Sequence, residues 1–444
     1  RYIDKTGRLK TGKGAVGTMI EESWFGQPPH NDENPDFVDL GVKLKVAPFI
    51  RTKVKKEPRA KERLVCNMIN YMTEHEHERF KDSSFYRKCN SILLMFYQHL
   101  YDRPKLDYKI SYVNFMTLSE IMKEKNAFFF LIPDEDIEMM RQDWEKIVNK
   151  IKSGKAHEIS EGDTNYLGAC TKSSDSSKRV DQPFSTRKAK PRAFSIKQSY
   201  MSYVLNNYVI IKEREAEALV PDAELLKKKT FDDIIVEKFK PYFGKTESEL
   251  CSIFGVNRKS KNYMDRIIAG ILRISGSINK SAEFQKASIT SKIIKVEKTG
   301  NIKEHMSFPK IDFNELIKEK TWEDSEFYKQ IGLSRFMFSI FVKNGNEYKL
   351  SRIKFWNMPN KDLNYAKKVW KETQRLVKKD EIEIGGVGGY SVTNFPTSTM
   401  NKVSHVRPHD TNMRNGKVTL PSGKKIANYC FWLNKDYIKK SIKK

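Results

Sequence analysis

The residues best suited to chemistry stand in the stretch PDFVDLGVKLK at 35–45, which supplies Asp36, then Lys43 after six intervening residues, then Lys45. Breaking a phosphodiester with a divalent ion takes hard oxygen ligands, because carboxylates hold Mg²⁺ and the ion polarises the phosphate. Two carboxylates on neighbouring strands with a lysine beside them are the minimal set. Asp36 and Lys45 suit two of those places. Side chains 43 and 45 of a strand share one face, so Lys43 is expected to look into the site where the second carboxylate belongs. Asp39 lies three residues from Asp36, points to the opposite face of an extended strand, and is not expected to replace it.

A chain of 444 residues has room for two or three domains, and 39% apolar with 11% aromatic residues is enough for packed cores. Lys and Arg number 82 against 56 Asp and Glu, and the resulting charge of +26 favours a polyanion, with nucleic acid the leading partner. An anionic membrane surface is disfavoured, because the basic residues are spread along the chain and form no amphipathic helix of their own. Five cysteines at 66, 89, 170, 251 and 430, with no C-x-x-C, support neither a disulfide framework nor a zinc knuckle, and suit the cytoplasm. No apolar run is long enough to span a membrane, and a first residue of Arg1 points to a missing leading segment.

The elements that position the chemistry come in two divergent copies, visible in spacings more than identities. Lys61-Glu62 precedes Asp82-Ser83-Ser84-Phe85-Tyr86, and Lys303-Glu304 precedes Asp324-Ser325-Glu326-Phe327-Tyr328, with each glutamate twenty residues before its aspartate. Pro133 leads Trp144 by eleven as Pro359 leads Trp370, and Phe194 leads Tyr200 by six as Phe431 leads Tyr437. Three pairs in one order argue for two homologous domains, placed at 1–212 and 213–444 with the seam near 205–230, where IKEREAEALVPDAELLKKKT follows an apolar end. Within each copy helices come first, then a cluster of strands, then a helix that starts after the proline and carries the tryptophan. The spacing of Ile137, Met140, Trp144, Ile147 and Ile151 predicts a helix over 134–151, and strands are expected at 41–47, 127–132 and 352–356. The class is α/β or α+β.

The frame Pro35-Asp36, six residues, then Lys43-Leu44-Lys45 resembles the PD-(D/E)xK nuclease signature in the form found in the MutH and Sau-three-AI type family, where the motif ends Glu-Leu-Lys. Upstream, KGAVGTMIEESWFG at 13–26 resembles that family's helix with an active-site glutamate. Counting forward from Gly17 selects Glu21, and counting back from Trp24 selects Glu22. QDWEKI at 142–147, Gly154-Lys155-x-x-Glu158 and RAFSIKQSY at 192–200 resemble the same family. VSHVRPHDTN at 403–412 and CFWLNKDYI at 430–438 resemble the C-terminal domain of its restriction-enzyme branch.

The resemblance implies two restriction-endonuclease-like domains, each a mixed central sheet flanked by helices, with the first catalytic and the second a DNA-binding or regulatory module. It implies a type II restriction-type endonuclease that recognises double-stranded 5′-GATC, in one copy or two, and cuts with Mg²⁺. Asp36 and Glu21 would be metal ligands, and Asp36, Lys45, position 43 and the pair Glu21 and Glu22 the catalytic set. Lys88 matches a further family lysine loosely, so a surface lysine is expected there.

Lys43 is the departure. With the expected glutamate the three acidic positions would sum to about −3, and with Lys43 to −1. At about 4 kcal/mol per unit-charge pair (about 4 Å, effective dielectric about 20), a swing of two units against Mg²⁺ has a nominal size of about 16 kcal/mol. Relaxation cuts this severely, since a flexible Lys43 can swing away, yet a quarter of it weakens metal binding about a thousandfold. Impaired cleavage with retained DNA binding is therefore expected. The alternatives are a non-catalytic sequence-specific DNA-binding protein and a MutH-like mismatch-repair nicking enzyme, the latter disfavoured by the second domain.

In the second copy, KASITSKIIKV at 286–296 offers Lys295 opposite Lys45, with no acid at the other places. NYMDRIIAGILRISG at 262–276 puts Ile271 and Leu272 where Glu21 and Glu22 stand. DNA-reading side chains are expected in LGACTKSSDSSKR and HVRPHDTNMR, with Lys172, Lys178, Arg179, Arg192 and Lys197 in the first domain and Arg407, His409 and Arg414 in the second. HEHE at 75–78 reads as a solvated loop, GGVGG at 385–389 as a turn, and Trp144 and Trp370 as core. His405 and His409 have metal-ligand spacing, but Pro408 between them disfavours a helix.

Overall fold

The apolar runs SILLMFYQ and RFMFSIFVKN are too continuous for a half-exposed strand, and each forms an inner strand of its own sheet, Ser91–Gln98 and Arg335–Asn344. The computed structural model describes residues 12, 14–26, 34–52, 57–101, 103–118, 129–173, 175, 177–210, 216–385, 391–409 and 418–443. The chain divides into two compact units, Arg1–Phe231 with Lys280–Ser288, and Asp232–Asn279 with Ile289–Lys444. The division thus falls at Phe231, beyond the expected seam.

In the first unit a five-stranded sheet runs in the order Pro58–Ala60, Lys43–Arg51, Ser91–Gln98, Ile110–Thr117, Phe129–Leu131. Lys43–Arg51 is parallel to Ser91–Gln98, which is antiparallel to Ile110–Thr117. A smaller antiparallel sheet places Arg192–Ile196 between Leu64–Met68 and Leu167–Thr171. The second unit repeats the scheme. Ile289–Val296 is parallel to Arg335–Asn344, which is antiparallel to Glu347–Trp356, and Tyr429–Leu433 lies between Met306–Lys310 and Ser404–Pro408.

The long helices expected after each proline are Asp134–Lys152 and Asn360–Lys378. The first opens on Asp134, Glu135 and Asp136 and ends on Lys150 and Lys152, the charge order its dipole favours. Met140, Trp144, Ile147 and Ile151 are buried and Ile137 is half-buried, as the period required. The duplication extends to single bonds. Trp144 donates to Glu74 at 2.7 Å as Trp370 donates to Glu319 at 2.6 Å, and Tyr200 donates to Asp136 at 2.9 Å as Tyr437 donates to Asp362 at 2.9 Å.

Ser91 and Arg335 open the inner strands, and counting from them corrects one equivalence. Lys45 lies opposite the fourth residue, Leu94, and Lys292 lies opposite the fourth residue, Phe338. Lys292, not Lys295, therefore answers to Lys45, and Thr290 answers to Lys43. Asp265, on helix Tyr263–Leu272 but away from the places of the motif, bears electrostatically on Lys292, whose ammonium is lowered by desolvation. The helix Ala282–Ala287 belongs to the first unit, where Lys286 forms a buried ion pair with Asp136 at 2.8 Å and Glu283 accepts from the amides of Leu219 and Val220 at 2.9 and 2.8 Å.

Candidate active site

The loop that carries Asp36 folds back on the strand it precedes. Phe37 and Val42 exchange backbone hydrogen bonds at 3.0 and 3.1 Å, a short 3₁₀ turn spans Val38–Leu40, and Gly41 closes it at φ +64°, where a side chain would be strained. This return sets the Asp36 carboxylate against the start of Lys43–Arg51. One oxygen accepts from the amide of Leu44 at 2.7 Å, and the other accepts from the Lys43 ammonium in a buried ion pair. Lys43 does not swing away to solvent: it is 7% exposed and Asp36 is 9% exposed. A buried carboxylate needs a cation or several donors to remain charged, and the ammonium supplies the cation from within the chain.

Two more lysines join the pair. Lys45 donates to the carbonyl oxygen of Cys66 at 3.1 Å. Lys88, at the end of helix Ser84–Cys89, is buried at 8% exposure, which corrects the expectation of a surface lysine. A buried lysine is unusual, and only the helix and strand geometry reveals it. Lys45, Lys43 and Lys88 all bear electrostatically on Cys89. Helix Ala15–Ser23 packs against the same strand, close enough that a Cβ placed on Gly17 would lie 3.9 Å from the Val46 side chain. Glu21 and Glu22 lie half-buried in the last turn of that helix. Asp39 is exposed in the 3₁₀ turn and contributes nothing to the pair.

The expected DNA readers divide by burial. Lys172, Lys178 and Arg179 are exposed between the strands Leu167–Thr171 and Val180–Gln182. Arg192 and Lys197 are not surface cations. Arg192 sits in the middle strand of its sheet, 5% exposed, and donates to the carbonyls of Ala169 at 2.6 Å and of Ile159. Lys197 is 8% exposed and donates to the carbonyl of Thr164. Both serve buried backbone oxygens, so they hold the fold.

In the second unit Arg407 is exposed with its guanidinium carbon 4.6 Å from the centre of the Trp432 ring, and the His409 ring lies 5.9 Å from the same ring. Arg414 lies outside the described residues. Trp432 lies opposite His405 in register and stacks with it at 6.3 Å, and His405 meets the ring of His305 edge-on at 4.6 Å, contacts that the sequence alone does not show. Burial brings His405 down to about 4, against a hydrogen bond with Asn434 that works the other way. His75 packs on Phe184 and bonds the Tyr71 carbonyl oxygen at 3.0 Å, which leaves HEHE a surface segment.

A pattern of Asp, a six-residue return, and Leu-Lys on the first parallel strand of a mixed sheet can be compared with known proteins. A family model described as DNA mismatch repair enzyme MutH matches residues 25–128, which include Asp36, Lys43, Lys45 and Lys88. The type II restriction enzyme Sau3AI of Staphylococcus aureus is 35% identical over 473 residues, covering 98% of this chain and 93% of that enzyme. The chain belongs to the MutH and Sau3AI family. Within it, the chain is related over 98% of its length, which takes in both units, to a type II restriction enzyme. Proteins of the MutH and Sau3AI family act on DNA, and nucleases of the restriction type use a divalent metal. The residues present do not fit such an ion. Both oxygens of Asp36 are already engaged, one by an ammonium, and among the described residues no group of three His, Cys, Asp or Glu side chains is placed to hold a metal.

Proposed function

We propose that this protein is a restriction-type endonuclease of double-stranded 5′-GATC whose cleavage is impaired by Lys43. The observation that carries the reading is the ion pair of Lys43 with Asp36 inside an otherwise family-like frame. The ammonium occupies the carboxylate that a Mg²⁺ ion would need, and it contributes the positive charge that the ion would otherwise supply. Lys45 and Lys88 remain in place for the charge on a phosphate, so DNA binding is retained. Asp36, Lys45 and either Glu21 or Glu22 form the catalytic set of the glutamate-restored site.

The domains are assigned as a catalytic N-terminal half and a C-terminal half that reads or regulates without its own chemistry. Thr290 at the place of Lys43 supports that division. Arg407, His409 and Arg414 of the second half, with Lys172, Lys178 and Arg179 of the first, are the DNA-contacting set. The same ion pair favours a second reading, a DNA-binding protein in which neither half cuts. One experiment separates the two. A GATC plasmid is incubated with the protein and with its Lys43→Glu form, each in Mg²⁺ and in chelator. Cutting only by Lys43→Glu in Mg²⁺ supports the nuclease reading. Cutting by neither form supports the second reading, and equal cutting by both refutes the role given to Lys43.

A further inference from the structure

We propose that Trp432 is a positioning residue for DNA recognition by the second unit, holding the Arg407 guanidinium at the surface in place to read a guanine of GATC. The inference rests on the DNA contact proposed above for Arg407. In the antiparallel pair Ser404–Pro408 with Tyr429–Leu433, His405 lies opposite Trp432 and Arg407 opposite Cys430, so the four side chains share one face and Arg407 is the diagonal neighbour of Trp432. Trp432 fastens the arginine twice. Its indole Nε1 donates to the Arg407 carbonyl oxygen at 3.2 Å, and its ring centre lies 4.6 Å from the guanidinium carbon, within the range of a cation–π contact. The indole is itself fixed from within. His405, 3% exposed, stacks on it with the ring planes 17° apart. The Asn434 Nδ2 donates to the carbonyl oxygens of Asn401 at 2.6 Å and Ser398 at 3.3 Å, which leaves the Asn434 Oδ1 to accept from the His405 Nδ1 at 2.6 Å. A line of partnered groups thus runs from buried backbone to the exposed guanidinium.

The first unit builds the same sheet without this cluster. Phe194 lies opposite Ala169 as Phe431 lies opposite Val406, and with those pairs matched the place of Trp432 is taken by Ser195, that of His405 by Gly168 and that of Arg407 by Cys170. All three are buried. The sheet therefore folds with small, enclosed side chains at these places, and an indole that carries an exposed cation there points to a ligand outside the protein. The guanidinium identifies it. Its planar fork matches the O6 and N7 acceptors of guanine in the major groove, and GATC presents one guanine on each strand. An arginine already held in place loses less freedom on binding than one free to rotate.

Anisotropy titrations compare a GATC duplex with an AATT duplex, in which both guanines become adenine. The full chain carries Gln at Lys172, Lys178 and Arg179, so that the first unit's contacts do not mask the second. Trp432→Leu should narrow the preference for GATC about fivefold or more, the low end for a bidentate arginine–guanine contact. The slope of log affinity against log salt should not change, because the charge of Arg407 is kept. Arg407→Lys should narrow the preference equally, and the two substitutions together should add no further loss, as expected of a residue that acts through another. Trp432→Phe, which keeps a ring beside the guanidinium and loses the Nε1 bond, should fall between Trp432→Leu and the unsubstituted Trp432. Ser195 at the matching place shows that a small side chain is tolerated there, and thermal unfolding of each form checks it. Undiminished preference in Trp432→Leu and Trp432→Phe, or a loss that adds in full to that of Arg407→Lys, overturns the role of Trp432 and leaves the proposed DNA contact standing. If the chain with Trp432 intact does not prefer GATC, the recognition proposed for the second half fails, and this role fails with it.

Discussion

Replacing Lys43 by glutamate should make the protein less stable without metal and dependent on Mg²⁺ for its stability. In the parent the ammonium and the Asp36 carboxylate form an ion pair whose side chains are 8% and 5% exposed. Removing one partner of a buried pair costs about 3–5 kcal/mol, because the other is left charged without compensation. Lys43→Glu adds a second carboxylate beside the first, so the upper part of that range is expected. For a unit of this size the loss corresponds to roughly 6–20 °C in melting temperature. A divalent ion reverses the sign. Each unit charge at about 4 Å contributes about 4 kcal/mol at an effective dielectric near 20, and even a quarter of the nominal two-unit swing, about 4 kcal/mol, tightens Mg²⁺ about a thousandfold. Ion at about a hundred times its dissociation constant then restores about 2.7 kcal/mol. The assay is thermal unfolding of both forms in chelator and across a Mg²⁺ titration. The parent should melt at one temperature throughout, and Lys43→Glu should start lower and climb. A parent stabilised by Mg²⁺ as strongly as Lys43→Glu would refute the reasoning, and so would a Lys43→Glu form as stable as the parent in chelator.

Lys45→Met, placed in the Lys43→Glu background, should lower plasmid cleavage by about a hundredfold while duplex affinity in anisotropy titrations changes little. Substituting Lys172, Lys178 and Arg179 together by Gln should reduce the slope of log affinity against log salt by up to about 2.7, at about 0.9 per phosphate contact. Arg192→Ala should instead cost about 3 kcal/mol in denaturant unfolding by leaving the Ala169 and Ile159 carbonyls unpaired, with the salt slope unchanged. His405, held near 4 when folded against 6.5 unfolded, gives stability that is full above 6.5 and is lost as pH falls toward 4, on the order of 3 kcal/mol, so His405→Gln should flatten the pH dependence of unfolding relative to the parent.

The duplication was legible because a buried hydrogen bond needs both partners at fixed places in the chain. Asp136 stands three residues after Pro133 as Asp362 stands three after Pro359, and Tyr200 stands six after Phe194 as Tyr437 stands six after Phe431, so each Asp–Tyr bond recurs at matched places although the stretch between its partners differs in length. Register was not legible. Nothing in KASITSKIIKV says which lysine faces which residue of the neighbouring strand, and the pairing of Lys292 with Phe338 settles it three residues from the expected Lys295. Charge misled at Arg192, Lys197 and Lys88, where a cation next to small polar residues reads as surface. Every residue of the strand Arg192–Ile196 is buried, so neither face offers Arg192 to solvent, and buried carbonyls take up the donors. Nor does composition show that Lys280–Ser288 folds with the first unit, since that depends on Asp136 being buried and in need of a cation.

That last case illuminates Lys43. Lys286 with Asp136 and Lys43 with Asp36 are two solutions to the same problem, a carboxylate enclosed by protein and stabilised by an ammonium of the same chain. At Asp136 the arrangement is structural: Tyr200 completes the hydrogen bonds and no phosphate is expected there. At Asp36 the arrangement sits at the start of the first parallel strand, in the frame of the nuclease site proposed above. The rest of that frame remains intact, from the Leu44 amide on Asp36 to the Lys45 bond with the Cys66 carbonyl. These supports stand with Lys43 in place, so on the function proposed above Lys43→Glu alone is expected to bring Mg²⁺-dependent cutting to this fold.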